Sequence, residues 1–582
     1  MSFLPMSISE AGDSEVDFVF VSGDAYVDHP SFANALIGRW IAQNGYSVGM
    51  IAQPDWHTTR DFMRFGRPRL GFLVSAGNMD SMVNLYTVAK KPRKTDAYAP
   101  GGKTGLRPRR ASIVYTNRIR EAYGDVPVIL GGVEASLRRF AHYDYWDDAV
   151  RQSILADSGA DLLVYGMGET PILQIAEALE SGIGVSDIVY VKGTCYTARD
   201  LSRVYEAAEA PSFIEARDDK EKYCDAYTME LYERGFPVAQ MQRDFYIVQN
   251  PPADPLTQEQ MDRIYGMDFL FRAHPSYTEK IPALAEVQFS ITSQRGCIGG
   301  CSYCSIYFHQ GKQIQARSEG SILLEARKMT KMPGFKGYIH DVGGPTANFY
   351  GARCKNPKGP CRKGKCLYPA KCRYLKVSHD GYIRVLKKLR GLPGVKKVFI
   401  RSGVRYDYAL MDDGAFIREL AAHHVSGQLK VAPEHVSRDV LSLMGKPDIK
   451  IYKKFVNKFN TASKRLNLKQ YVLPYFMSSH PGCTLADAVM LAEYMRDTGF
   501  APEQVQDFYP TPGTAATCMY YTGMDPATKK PVYVARDSEE KEMQRALLQY
   551  RHPKNRRLVL KALKKAGRED LIGKEKRCLL RE

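Results

Sequence analysis

Between residues 17 and 200, short apolar runs alternate with stretches of helical spacing, and this alternation narrows the fold more than any other feature of the chain. VDFVFVS at 17–23, YSVGMIA at 46–52, LGFLVSA at 70–76, VPVILGG at 126–132 and DLLVYG at 161–166 read as strands. Between the first two, Phe32, Leu36, Ile37, Trp40 and Ile41 recur at helical spacing. Strands spaced by helices in this way predict an α/β domain, a parallel sheet wound in the Rossmann manner over residues 1–200.

One such core cannot account for 582 residues, because single cores stop growing at roughly 250–300 residues. Residues 201–285, rich in acids, prolines and aromatics, read as a connecting segment. A second alternation then begins, with strands near Val287–Thr292, Gly337–Val342, Val398–Arg401, Leu429–Val431, Tyr471–Phe476 and Val505–Tyr509. Helical patterns at 379–390 and 414–424 fall between them. Six βα units of this kind predict a partial (β/α)6 barrel over 286–515, with chemistry at the carboxyl ends of its strands. Residues 351–376 form a cysteine-rich insert in it, and 516–582 a basic extension in which Leu558, Leu560 and Leu563 suggest a short amphipathic helix.

The composition, 44% hydrophobic and 25% charged, is that of soluble globular chains and excludes disordered and membrane classes. The opening residues lack the basic start and apolar run of a signal peptide, and the longest apolar stretches fall short of a membrane span. A soluble, cytoplasmic protein is expected. There its twelve cysteines would stay reduced, so clusters of them read as metal ligands rather than disulfides. Seven of the twelve lie between 297 and 372. The net charge of +18 makes RNA or another anionic macromolecule a candidate partner, although a basic tail is more often a solvated face.

The segment RGCIGGCSYCSIYFHQG at 295–311 sets Cys297, Cys301 and Cys304 in a Cys-x3-Cys-x2-Cys arrangement after a strand. Four thiolates saturate a 4Fe-4S cubane and three leave one iron open. S-adenosylmethionine can chelate that iron, and an electron from the cluster then breaks its carbon–sulfur bond. Gly296, Gly299 and Gly300 suit a loop that must wrap closely. A zinc knuckle, the competing reading, generally uses two separated cysteine pairs.

At these residues the chain resembles the radical S-adenosylmethionine superfamily, and over most of its length the YgiQ-type family within it. That likeness rests on YAPGGKTGLRP at 98–108, LGGVEASLRR at 130–139, HDVGGPTANFY at 340–350 and QDFYPTPGTA at 506–515. The resemblance implies that Tyr303 packs near the adenine and that Gly343 and Gly344 admit the methionyl amino group. It further implies that Ser402 and Arg405 meet the ribose and methionyl carboxylate. Glu434 matches a site residue of the methylthiotransferase-containing subgroup, but His435 stands where that subgroup has serine. An electron donor such as flavodoxin or ferredoxin is implied as a partner.

Cys354, Cys361, Cys366 and Cys372 lie in a turn-rich insert with little apolar residue content, where a second iron–sulfur cluster or a zinc ion could substitute for a core. GGKTG at 101–105 fails as a phosphate loop, since Ala97 stands where glycine is needed. A sheet domain before the barrel is cobalamin-binding-domain-like. The Asp-x-His-x-x-Gly signature is absent, however, with Asp28 and His29 alone in the first loop, so cobalamin is disfavoured. The function expected is reductive cleavage of S-adenosylmethionine to start radical chemistry on an unidentified substrate. The alternative is a non-catalytic nucleic-acid-binding iron–sulfur protein that uses the basic insert and tail.

Overall fold

A computed structural model describes residues 2–231, 235–359, 361 and 364–581. The chain divides into two compact units, Met1–Gly296 with Phe308–Asp341, and Cys297–Tyr307 with Val342–Glu582. No helix among the described residues is long and apolar enough to cross a membrane.

The first unit is built on a nine-stranded sheet. Its strands are β1 (Phe18–Ser22), β2 (Val48–Ala52), β3 (Gly71–Ser75), β4 (Val128–Gly131), β5 (Leu162–Val164), β6 (Thr194–Ala198), β7 (Ala208–Ala210), β8 (Val238–Met241) and β9 (Tyr246–Gln249). They are ordered β7-β8-β9-β6-β5-β4-β3-β1-β2. The first five pair in parallel, in the 2-1-3-4-5 order of flavodoxin-like doubly wound sheets. These strands are buried almost throughout, which is why they read as continuous apolar runs rather than alternating ones. Helix α1 (Ala33–Gln43) buries Ala35, Leu36, Trp40 and Ile41, and Trp40 also donates its indole N–H to the Glu169 carbonyl at 2.9 Å.

Residues 201–285, expected to be a connector, instead supply β7, β8 and β9 to this sheet, and β6 precedes them. β6 and β9 are antiparallel to their neighbours. Such short strands, set among acids, prolines and tyrosines, carry no period long enough to be legible in the sequence.

The carboxyl edge of the parallel strands is closed by buried ion pairs. Arg107, fully buried, donates to Asp24 Oδ1 at 2.7 Å and to Asp96 Oδ2 at 3.3 Å. The GGKTG residues themselves are mostly exposed, whereas Arg107, two residues beyond them, is sealed inside the fold.

The second unit contains a three-stranded parallel sheet, β12 (Gln428–Glu434), β13 (Tyr471–Ser478) and β14 (Gln506–Asp507). It also holds the small antiparallel pair β10 (Arg353–Cys354) and β11 (Leu375–Lys376). Helix α2 (Asp380–Arg390) matches the predicted 379–390 pattern, while 414–424 folds as a short α-helix, Ala415–Glu419, running into a π-turn, Leu420–His424. Helix α3 (Ile449–Arg465) opens on Asp448, which accepts from the Lys450 N–H, and buries Tyr452, Phe455 and Phe459 beneath exposed lysines. Helix α4 (Leu485–Thr498) starts with a reciprocal capping box between Thr484 and Asp487, worth about 1 kcal/mol or more at such a terminus.

The basic extension folds as well. Helix α5 (Arg556–Lys565) buries Val559, Ala562 and Leu563, so its packed face follows the three-and-four spacing from Val559 and leaves Leu558 and Leu560 at the margin.

Candidate functional site

The cysteine loop, Cys297–Tyr307, lies within the second unit and follows a glycine that has no room for a side chain. Gly296 has a φ of 79°, and a Cβ there would fall 1.7 Å from the Gln313 carbonyl oxygen. Cys297 is buried, Cys301 and Cys304 half-buried. The Gly299 amide donates to Cys297 Sγ at 3.4 Å, and Thr346 Oγ1 lies 3.8 Å from the same sulfur. Burial, reinforced by the thiols of Cys301 and Cys297, pushes the Cys304 thiol up to about 12. Among the described residues no group of three His, Cys, Asp or Glu side chains is drawn together as ligands of a single ion. A cubane is a larger object that takes each thiolate on a separate iron.

The loop is tied to the rest of the unit by its backbone. The Ser302 amide donates to the Met444 carbonyl at 3.1 Å, and the Ala516 amide to the Ser302 carbonyl at 2.9 Å. Gly445, at φ 71°, lets the chain pass close to the loop, because a Cβ there would meet the Gly300 carbonyl oxygen at 2.5 Å.

Arg405 stands directly over this loop. Its Nη1 lies 3.4 Å from Cys301 Sγ and 3.4 Å from the Gly299 carbonyl oxygen, and its Nε donates to Asp407 Oδ1 at 2.7 Å. Asn348 fixes its backbone from both sides, at 2.8 and 3.1 Å. Burial opposes its charge, but Asp407 and then Cys301 more than offset this and hold its pKa above the ordinary arginine value. Its Nη2 is buried with no hydrogen-bond partner.

Tyr303 donates its hydroxyl to Glu434 Oε1 at 2.8 Å, and Lys446 Nζ lies 3.6 Å from the same oxygen. Glu434 has a φ of 71° and sits where the register of β12 against β13 shifts. A non-glycine residue held left-handed in a bulge marks a place where the backbone re-aims a side chain at a cost.

Gly343 lies against Ser402, since a Cβ on it would fall 2.5 Å from Ser402 Oγ and 2.8 Å from Ser402 Cβ. Gly344 and Ser402 are half-buried. The structure thus brings together Cys301 with Arg405, Tyr303 with Glu434, and Gly343 with Ser402.

Sequence reasoning missed His480 and assigned no role to His435. His480 packs edge-on against Tyr303, with centroids 5.8 Å apart, and its Nε2 is 3.4 Å from Ser302 Oγ. Burial keeps its imidazole neutral, at about 3. His435, the departure from the subgroup pattern, is also buried, accepts from the Ser437 amide at 3.0 Å and lies 3.5 Å from Cys483 Sγ. Its place just past the end of β12, like that of His480 past β13, was the available signal.

Comparison with known proteins bears on these observations. Residues 3–290 match the family described as Radical SAM N-terminal, and 503–582 a domain of unknown function, DUF3362. A UPF0313 protein of Clostridium botulinum (strain 657 / Type Ba4) is 53% identical over 100% of this chain and 93% of its own length. A UPF0313 protein of Clostridium perfringens (strain 13 / Type A) is 54% identical over 100% of this chain and 90% of its own. These full-length matches agree with the YgiQ-type resemblance. In fold, the chain is similar to the radical S-adenosylmethionine methyltransferase TsrM from Kitasatospora setae, solved with cobalamin and a [4Fe-4S] cluster bound. The TM-score is 0.50 at 14% identity, covering 95% of this chain and 100% of that one. This overturns the expectation that cobalamin is disfavoured. The missing Asp-x-His-x-x-Gly signature does not argue against that cofactor in a chain whose fold is that of a cobalamin-bearing protein.

Proposed function

Because this chain belongs to the UPF0313 family, we propose that it is a radical S-adenosylmethionine enzyme whose cluster is held by Cys297, Cys301 and Cys304. A 4Fe-4S cluster, when bound, supplies the electron that breaks the sulfonium carbon–sulfur bond. The observation that carries this reading is Arg405, a buried cation aimed at the middle thiol of the triplet.

The chain's own residues divide the remaining work. Arg405 holds the loop through Gly299 and keeps a positive charge at Cys301. Its unpartnered Nη2 is free to receive a carboxylate oxygen of S-adenosylmethionine. Gly343 and Gly344 present bare backbone to the methionyl group, and Ser402 offers a hydroxyl. The Tyr303 ring is held in place through Glu434, itself paired with Lys446, which fixes a flat apolar face beside the loop. No observation favours the alternative of a non-catalytic nucleic-acid-binding protein.

Cobalamin enters this proposal as a second cofactor of the first unit. His29 is wholly buried against Phe32 and Phe271, and burial holds its imidazole neutral, at about 3. At the same strand ends Gly23, Gly77 and Gly132 pack against the protein itself, where a Cβ would fall 2.2 Å from the Ala76 carbonyl oxygen, 2.2 Å from Asp24 Oδ1 and 2.6 Å from Ser75 Oγ. Cobalamin is therefore proposed on the likeness in fold alone, as a cofactor that takes no imidazole from the first loop. Gel filtration after incubation with hydroxocobalamin should recover its visible absorption with the protein, and a His29→Ala variant should retain it. No co-eluting absorption would remove cobalamin from the proposal.

The main test is anaerobic reconstitution followed by iron counting, electron paramagnetic resonance and assay for 5′-deoxyadenosine. Changing any one of Cys297, Cys301 and Cys304 to Ala should abolish both the cluster signal and the nucleoside. Undiminished cleavage in a single variant would remove that cysteine from the site.

A further inference from the structure

Four of the remaining cysteines are not used by the function above. We propose that Cys354, Cys361, Cys366 and Cys372 form a second, four-thiolate metal site, independent of the triplet.

The backbone gathers them. β10 pairs with β11 in the register Arg353 with Lys376 and Cys354 with Leu375. The Lys355 amide donates to the Tyr374 carbonyl at 2.8 Å, the Leu375 amide to the Cys372 carbonyl at 3.0 Å, and the Cys372 amide to the Cys366 carbonyl at 2.8 Å. Cys354 is thereby set across from the turn that carries Cys372, and Cys372 is bonded to Cys366. Cys361 joins them through its thiol. The thiols of Cys361, Cys372 and Cys354 are the charged neighbours that act on the Cys366 thiol. All four sulfurs therefore share one neighbourhood.

The hairpin has little else to order it. Among its described side chains only those of Ala352, Leu367 and Leu375 are buried apolar groups. That is too little to offset the entropy of fixing some two dozen residues. Tyr368 adds one anchor, donating its hydroxyl to Ser442 Oγ at 2.7 Å. Coordination would supply what the core lacks, as it does in small metal-dependent domains.

Charge points the same way. Residues 354–376 hold eight Lys or Arg and no acid. Four thiolates around a dicationic centre leave two negative charges, which such surroundings neutralise. Without metal, the same residues leave Cys354 and Cys361 as exposed reduced thiols in an electropositive setting, where oxidation is favoured. The four sulfurs are not drawn in to the positions of a single ion's ligands, so the site closes as metal arrives, each thiol giving up its proton to solvent.

The experiment uses the full-length chain, reconstituted anaerobically with iron and sulfide or loaded with Zn2+ alone, beside a variant with Cys354, Cys361, Cys366 and Cys372 all changed to Ser. Wild type should hold about eight irons per chain if the site takes a cubane, or about four irons with about one zinc if it takes an ion. The variant should lose only that second portion and keep the resonance of the triplet cluster. A wild type with about four irons, no zinc and the same content as the variant overturns the proposal. Alkylation of the wild type alone provides a measurement that needs no variant to fold. The four thiols should react with iodoacetamide at least about ten-fold more slowly before chelation than after, because a sulfur bound to metal is a poor nucleophile. Equal rates overturn the proposal too. Loss of iron in triplet variants alone would bear on the radical reading and leave this one standing.

Discussion

Arg405 Nη1 lies 3.4 Å from the sulfur of Cys301. If Cys301 holds the proposed cluster, a buried cation this near favours the cluster's reduced, more negative state. Coulomb's law with an effective dielectric of about 20 and a separation of about 5 Å gives about 3 kcal/mol, or about 0.1 V for a one-electron couple. Replacing Arg405 by Gln should therefore lower the midpoint potential of the cluster by about 0.1 V, and Arg405→Lys by much less. The paired variant Arg405→Gln with Asp407→Asn removes both charges of the 2.7 Å pair and should shift the potential by clearly less than Arg405→Gln alone. Potentiometric titration followed by electron paramagnetic resonance reads the shift, with iron content measured alongside. An unchanged potential at full iron content would assign Arg405 to loop structure alone.

Gly343 and Ser402 give a steric prediction. A methyl group at 343 would fall 2.5 Å from Ser402 Oγ, so Gly343→Ala should cost about 1–3 kcal/mol of stability by overpacking. It should also weaken S-adenosylmethionine binding by displacing the hydroxyl. Adding Ser402→Gly should recover most of the stability but not the affinity, because space returns while the hydroxyl does not. Thermal unfolding and titration of the reconstituted protein separate the two effects. Full recovery of affinity in the double variant would show that Ser402 does not touch the ligand.

Glu419 makes the stability of the second unit depend on pH. Burial alone would raise its pKa, but hydrogen bonds from His424, at 3.3 Å, and from Arg390, at 2.7 Å, outweigh this and bring it down to about 2. A carboxylate with a depressed folded-state pKa contributes stability that is complete above its unfolded value of about 4.3. That contribution is lost as pH falls towards 2. Glu419→Gln should consequently destabilise the protein by on the order of 1–2 kcal/mol at pH 7, solvent screening of this partly solvated group included, and by clearly less at pH 3. Urea denaturation at the two pH values checks this. A difference between wild type and variant that does not shrink at pH 3 would mean that the carboxylate's charge is not what stabilises.

The physics of burial explains which parts of the fold were legible. The five parallel strands of the first unit are covered on both faces and stand out as unbroken apolar runs, such as Phe18–Ser22 and Gly71–Ser75. β7 and β9 show mixed burial, and their pairing is set by contacts distant in sequence. Predicted strands at 429–431 and 471–476 fall within β12 and β13, which run longer. At the site, the cysteine spacing was visible because three cysteines on one loop are a local pattern. The relationships among Arg405 and Cys301, Tyr303 and Glu434, and His480 and Ser302 join positions roughly 100 or more residues apart, and no local pattern carries them. The left-handed backbone at Glu434 was invisible for a different reason, since glutamate has no preference for that conformation.

The last prediction concerns Arg107, whose segment resembles a phosphate loop in letters only. Its guanidinium is fully buried, bonded to Asp24 and Asp96. Nearby Gly77 approaches so closely that a Cβ there would meet Asp24 Oδ1 at 2.2 Å. Removing one partner of a buried ionic group leaves uncompensated charge in the interior, at a cost of about 3–5 kcal/mol. Arg107→Met should cost that much, lowering the unfolding temperature of the first unit. Changing Asp24 and Asp96 to Asn in the same chain should restore much of the loss, because no unpaired carboxylate then remains. Lys103, by contrast, is exposed and paired only with Glu279, so Lys103→Ala should leave stability within about 0.5 kcal/mol of wild type. Should Lys103→Ala instead abolish binding of a nucleotide triphosphate that the wild type holds, the segment would have to be reassigned as a phosphate loop. Unchanged stability in Arg107→Met would show that its ion pairs do not support the sheet edge.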